Sequence, residues 1–142
     1  MIYWFTGQPS SGKTTLAKKL KKILKYPVKM IDGDDLRDLI SNKDYTIKGR
    51  VYNVDIAQKI AHYSHNQGEV VIVSLVSPYL DQREEFKALL GDNIKEFYIH
   101  TTDARERNHF HVEGYQPPRK NYTEINTNDS LEQSVNKMMK AI

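Results

Sequence analysis

The sequence predicts an α/β fold of three layers around a mainly parallel, five-stranded sheet. Three observations carry that expectation. Short apolar, β-prone runs alternate along the chain with stretches of helical periodicity. Val70 to Val76 is a continuous β-branched run, the pattern of a strand covered on both faces. Between the first strand and the first helix lies Gly7-Gln8-Pro9-Ser10-Ser11-Gly12-Lys13-Thr14, a match without gap to G-x-x-x-x-G-K-[ST].

Ile2-Tyr3-Trp4-Phe5 is apolar and β-prone, so it predicts a buried first strand. After the glycine loop, Leu16, Ala17, Leu20, Ile23 and Leu24 repeat at helical spacing. Val28 to Asp32 predicts a second strand ending on an acid, and Gly33 punctuates it. Asp34-Asp35-Leu36-Arg37-Asp38-Leu39-Ile40 opens a short helix with acids in its first turn, where they suit the dipole. Ser41 to Asp44 reads as loop. A longer helix runs from Ile47 to about Gln67, with Ile47, Val51, Val54, Ala57 and Ala61 as its apolar stripe and Gly68 as its stop. Val70 to Val76 is the third strand, and Ser77-Pro78 ends it. Arg83 to Leu90 predicts a helix closed by Gly91, Ile94 to His100 a fourth strand, and a short helix is expected near Asp103. Residues 108–121 read as loop, Tyr122 to Thr127 as a fifth strand. Asp129 with Glu132 offers a capping box for a last helix carrying Leu131, Val135, Met138 and Met139. No linker or repeat interrupts the 142 residues, which predicts one domain over 1–142.

Strand, glycine loop and helix in that order form a P-loop, which implies the P-loop NTPase fold. Backbone N–H groups and the helix N-terminus converge on an anion there. Gly7 and Gly12 let the backbone curl around phosphates, with Ser10, Ser11 and Thr15 completing the cradle. Lys13 is expected to reach the β- and γ-phosphates, and Thr14 to offer its hydroxyl to Mg²⁺. ATP with Mg²⁺ is therefore the expected cofactor pair. The alternative is a Gly/Ser-rich turn before an ordinary helix.

Composition narrows the classes further. The chain has no cysteine, no charged-then-apolar leader and no bilayer-length apolar run, which suits a cytoplasmic protein without disulfides or a membrane anchor. A net charge of +3 does not demand a polyanion. Lys18, Lys19, Lys21, Lys22 and Lys25 fall opposite the first helix's apolar stripe, as a solvated face would, so nucleic acid is a less favoured partner.

A P-loop leaves open what happens to the nucleotide. No D-x-x-G switch occurs, and Asn42-Lys43-Asp44 has its acid one position early for an N-K-x-D guanine reader. What remains is Asp32 at the end of the second strand, where an acceptor hydroxyl would meet the γ-phosphate. That is the layout of small-molecule kinases.

Asp32-Gly33-Asp34-x-x-Arg37, Tyr45-Thr46 with Arg50-x-x-Asn53, and Val76-Ser77-Pro78-Tyr79 resemble the adenylylsulfate (APS) kinase family. Ile125-Asn126-Thr127 through Glu132-x-Ser134-Val135 is similar to the family's closing strand and helix. The resemblance implies a nucleoside-kinase-like P-loop fold and transfer of the ATP γ-phosphate to the 3′-hydroxyl of APS. It implies that Asp32 faces that hydroxyl and acts with Lys13 in catalysis. It further implies that Asp34, Arg37, Arg50 and Asn53, with the Val76-Ser77 backbone, line the acceptor pocket, and that Tyr45 packs on adenine. Arg50 and Asn53 share a helix face, and a guanidinium fork suits clustered anionic oxygens. Arg50 as a solvated residue paired with a surface acid, and Tyr45 as a core aromatic, stay open as alternatives.

The family's N-terminal extension and its lysine-rich lid have no counterpart here, so the chain reads as a short form. Phe110 matches the lid phenylalanine that stacks on the acceptor adenine, and Arg105 or Arg107 are candidates to clamp the ATP adenine. His109 and His111 could ligate a metal in principle, with loop exposure the plainer reading. A small-molecule acceptor, APS first, is the expected partner. A nucleoside, a sugar or a polynucleotide end are alternative acceptors, a non-catalytic nucleotide-binding module is a further alternative, and a homodimer stays open.

Overall fold

A computed structural model describes residues 1–102 and 111–142. Its strands are β1 (Ile2–Thr6), β2 (Val28–Asp32), β3 (Val70–Ser74), β4 (Ile94–His100) and β5 (Tyr122–Asn126). The helices are α1 (Lys13–Ile23), α2 (Gly33–Leu39), α3 (Ile47–Asn66), α4 (Leu80–Leu90) and α5 (Leu131–Lys140). The five strands form one sheet in the order β2-β3-β1-β4-β5. Every adjacent pair runs parallel, as strands joined by helical crossovers must.

β1 lies at the centre and is buried along its whole length. Its side chains alternate between the two faces, which creates two separate cores. Ile2 and Trp4 join Val71, Val73, Val54, Ala57, Ala61, Phe86 and Leu90 beneath α3 and α4. Tyr3 and Phe5 join Leu16, Leu20, Ile72, Phe97, Ile99 and Met138 beneath α1 and α5. Helices, sheet and helices make the three layers expected.

Five local expectations need correction. The third strand stops at Ser74, and the backbone turns left-handed at Ser77 (φ 47°). α4 begins at Leu80 instead of Arg83, and its first amide is held by the side chain of Gln116, 2.7 Å away. The capping box of α5 is Ser130 with Gln133, one residue beyond the expected pair, with the Gln133 amide 3.2 Å from Ser130 Oγ. The α3 stripe holds for Val54, Ala57 and Ala61 alone. Ile47 and Val51 are exposed. Ile23 and Leu131, placed in apolar stripes, are exposed as well. The expected helix near Asp103 lies outside the described residues.

Lys18, Lys19, Lys21, Lys22 and Lys25 are exposed, as a solvated face requires. Among the described residues no helix is long and apolar enough to cross a membrane.

Candidate active site

All parallel strands point their C-terminal ends to one rim, and β1 and β2 bring the P-loop and Asp32 there together. Gly7 is the first constraint. A Cβ on it would sit 2.1 Å from the Ile99 carbonyl oxygen, so the loop leaves β1 pressed against β4 with no room for a side chain. Gly12 is the N-cap of α1 at φ 104° and contributes no side-chain bond to the first-turn amides. Those amides have no carbonyl partner within the helix and face the loop, where an anion would lie. Thr127, just past β5, closes the cradle from the side. Its hydroxyl donates to the Ser11 carbonyl, and its methyl would lie 3.0 Å from a Cβ on Gly12.

Lys13 is buried, with Nζ donating to the Gln8 carbonyl at 2.8 Å. Thr14 Oγ1 stands 3.4 Å from Asp32 Oδ1 and 3.2 Å from Ser74 Oγ. The register pairs Asp32 with Ser74 at the ends of β2 and β3, which is why the two arrive side by side. Asp32 also caps α2, its Oδ2 accepting from the Asp35 amide at 3.2 Å. Hydroxyl and carboxylate oxygens grouped beside a phosphate cradle are the donor set that suits Mg²⁺, a hard cation shared with phosphate oxygens. A cavity of about 300 Å³ holds Ser10, Gly12, Lys13, Thr14, Thr15, Asp32 and Asp34 on its walls.

A second cavity, about 530 Å³, opens from the first across Pro9, Gly33, Asp34, Leu75 and Val76, which line both. Its wall includes Arg37, Tyr45, Arg50, Asn53, Val76 and Ser77. Every acceptor-side residue named from the sequence is therefore here except Phe110, which lies outside the described residues with Arg105, Arg107 and His109. Arg50 has no ion-pair partner among the described residues and is half-buried, so the surface-pair alternative falls away. Asn53 is 3% exposed, and its Oδ1 has no hydrogen-bond partner among the described residues. A buried oxygen without a donor costs stability, and a ligand donor would satisfy it. Tyr45 is exposed at the cavity mouth, which removes the core-aromatic alternative. The Arg37 guanidinium lies 4.2 Å from its ring centre and donates to the carbonyls of Asn42 and Asp44, both at 3.1 Å.

Ser77 contributes backbone only. Its hydroxyl accepts from Trp4 Nε1 at 2.9 Å and donates to the Leu75 carbonyl at 3.2 Å. Its carbonyl accepts from Arg83, a residue the sequence reading missed. Arg83 is buried, pairs with buried Glu96 at 3.2 Å and donates to the Gln116 carbonyl. Lys87 adds a second cation on Glu96 at 2.8 Å, so the burial of that carboxylate is compensated. Tyr115 hydrogen-bonds the Thr6 hydroxyl at 2.8 Å, and burial holds its own hydroxyl far above the ordinary phenol range. These contacts hold the Tyr115–Gln116 end of a segment whose His111 and Val112 line the second cavity. Ser74 and Arg83 carry no local motif, and Thr127 was quoted in the closing segment without a role; the position of Ser74 and Thr127 at strand ends is the signal that could have found them.

A larger groove, about 830 Å³, runs between α3 and α4. It shares no residue with the P-loop, and Asp44, Asp55, Asp81 and Glu85 on its wall disfavour an anionic ligand.

The sequence profile of adenylylsulphate kinase matches residues 1–120. Adenylyl-sulfate kinase of Buchnera aphidicola subsp. Schizaphis graminum is 32% identical over 106 residues, covering 71% of this chain and 50% of the relative. That of Clostridium acetobutylicum is 33% identical over 102 residues, covering 69% and 51%. The chain thus spans about half the length of these curated relatives. Among solved structures, the Mycobacterium tuberculosis APS kinase in complex with AMPPNP and APS superimposes with a TM-score of 0.84 at 22% identity, covering 99% of this chain and 95% of that one. At that identity the likeness bears on the fold.

Proposed function

The chain belongs to the adenylylsulphate kinase family, and from that membership we propose that it transfers the γ-phosphate of ATP to the 3′-hydroxyl of APS. The observation that carries the reading is the pair of contiguous cavities. Asp32 stands on the wall of the phosphate cavity, and the cavity beside it is lined by Arg37, Arg50 and Asn53, whose Oδ1 has no hydrogen-bond partner among the described residues.

Phosphoryl transfer asks a protein mainly for positioning and charge neutralisation. The P-loop amides and Lys13 hold the β- and γ-phosphates and stabilise the charge on the transferring group. Thr14 would hold Mg²⁺ through its hydroxyl, and the ion would neutralise phosphate charge when bound. The Asp32 carboxylate orients the acceptor hydroxyl and takes its proton. The acceptor oxygen forms the new bond to phosphorus, the bond to the bridging oxygen breaks, and ADP leaves with that electron pair. Arg37 and Arg50 bind the anionic phosphosulfate, Asn53 accepts from an acceptor N–H or O–H, and Tyr45 covers the adenine.

The test is a coupled ADP-release assay with APS, nucleosides, sugars and oligonucleotides as acceptors. APS should give the highest kcat/KM. Efficient turnover of another acceptor and none of APS would overturn the acceptor assignment. No ADP release with any acceptor would favour a nucleotide-binding module.

A further inference from the structure

Gln8 belongs by position to the phosphate loop, yet its side chain turns away from the phosphate cavity. Its Nε2 donates to the Val112 carbonyl at 2.9 Å, and its Oε1 accepts from the Val112 amide at 2.8 Å. The amide orientation is fixed by these partners, since a backbone N–H must meet the oxygen and a backbone carbonyl the NH₂. Among the described residues these are the two hydrogen bonds of the Val112 backbone. The other end of the segment is held independently: Tyr115 bonds Thr6, the Gln116 amide donates to the Pro78 carbonyl at 2.8 Å, and Arg83 donates to the Gln116 carbonyl. Val112 itself is buried, and with His111 it lines the acceptor cavity together with Arg37 and Arg50.

We infer that Gln8 is a positioning residue for the acceptor pocket: its side chain clasps Val112 and so holds the 111–117 wall in place, although the residue lies in the nucleotide motif. The inference rests on the proposed function for its kinetic consequence and on the clasp geometry alone for its structural one. A wall held part of the time offers a competent pocket part of the time, and the apparent acceptor affinity falls in proportion.

Gln8→Met keeps length and removes both bonds. The expected result is an acceptor KM for APS raised about tenfold, equivalent to about 1.4 kcal/mol, with the KM for ATP and the saturated kcat held within about twofold. Amide exchange should accelerate at Val112 and stay unchanged at Gln116. Gln8→Glu supplies a check that a general packing role would not produce. Protonated, the carboxyl donates and accepts as the amide does; ionised, it accepts only and faces the Val112 carbonyl. Exchange at Val112 should therefore be near wild type at low pH and accelerated at neutral pH, after correction by the wild-type profile.

An unchanged acceptor KM in Gln8→Met overturns the inference, as does a rise in the KM for ATP alone. If the wild type fails to turn over APS, the functional proposal falls, and exchange decides this one. Accelerated exchange at Val112 then upholds the clasp, and unaltered exchange refutes it.

Discussion

Asp32 caps α2 and is the proposed base, and one substitution separates the two roles. Its Oδ2 caps α2 through the Asp35 amide, and its Oδ1 stands 3.4 Å from the Thr14 hydroxyl. Asn caps a helix as well as Asp does, so Asp32→Asn keeps the cap and removes the base. Turnover should then fall by about 10²–10⁴-fold, which is roughly 2.7–5.4 kcal/mol on the barrier. ATP binding and thermal stability should hold. Asp32→Ala removes both duties: the same rate loss, plus about 1 kcal/mol of stability from the lost cap, or roughly 3–4 °C in Tm for a chain of this size. The assay is ADP release at saturating ATP and APS, with a fluorescent ATP analogue for affinity and thermal melts for both variants. Asp32→Asn turning over within about threefold of wild type would refute the base assignment. A collapse of ATP affinity with turnover intact at saturation would make Asp32 a nucleotide-side residue instead.

Lys13→Ala should lower turnover by roughly a hundredfold or more with every acceptor; an unchanged rate ends the kinase reading. Asn53→Leu replaces a buried oxygen that lacks a donor, so Tm should rise, in line with the roughly 1–3 kcal/mol such a group costs, while the KM for APS rises several-fold; a drop in Tm together with an unaltered KM would show the oxygen to be satisfied within the fold. Hydrogen bonds from the Thr46 hydroxyl and amide hold the Asp44 carboxyl below its ordinary range. A depressed carboxylate stabilises above its unfolded value and stops doing so as pH falls through its folded one. The Tm difference between wild type and Asp44→Asn seen near about pH 6 should therefore shrink towards zero below about pH 4; a difference constant with pH would refute it.

The layers and the phosphate loop were legible because their signals are local. Val28–Asp32 and Ile94–His100 are apolar runs bounded by punctuation, and the structure places both strands at those bounds. Arg37, Arg50 and Asn53 were named through the family resemblance, and the three-residue spacing of Arg50 and Asn53 on one helix agrees with it. What escaped is what a distant residue decides. The start of α4 depends on Gln116, 36 positions away, and the partner of Gln8 is 104 positions away. The α5 box slipped by one because Asp129/Glu132 and Ser130/Gln133 both satisfy the pattern, and the burial of Ser134 and Met138 selects the second. Arg83 reads as a surface helix residue until the sheet brings Glu96 beneath it.

The contacts of Gly7 and Thr127 set the order in which the molecule becomes competent during synthesis. The motif is made within the first 14 residues, yet the cradle leans on the Ile99 carbonyl and on the Thr127 hydroxyl. β1 itself pairs first with β3, some seventy residues later in the chain, as Ile2 meets Val71. Contacts that distant make for slow folding, because loop closure precedes any reward. A nascent chain emerging from the ribosome therefore carries the phosphate motif long before it can grip a phosphate. Under the proposed function, nucleotide binding and folding become one equilibrium once β5 docks, and free ATP at a hundred times its Kd would deepen the folded well by about 2.7 kcal/mol. A chain stalled short of Thr127 holds every residue of the motif and lacks the hydroxyl that closes the cradle from the side.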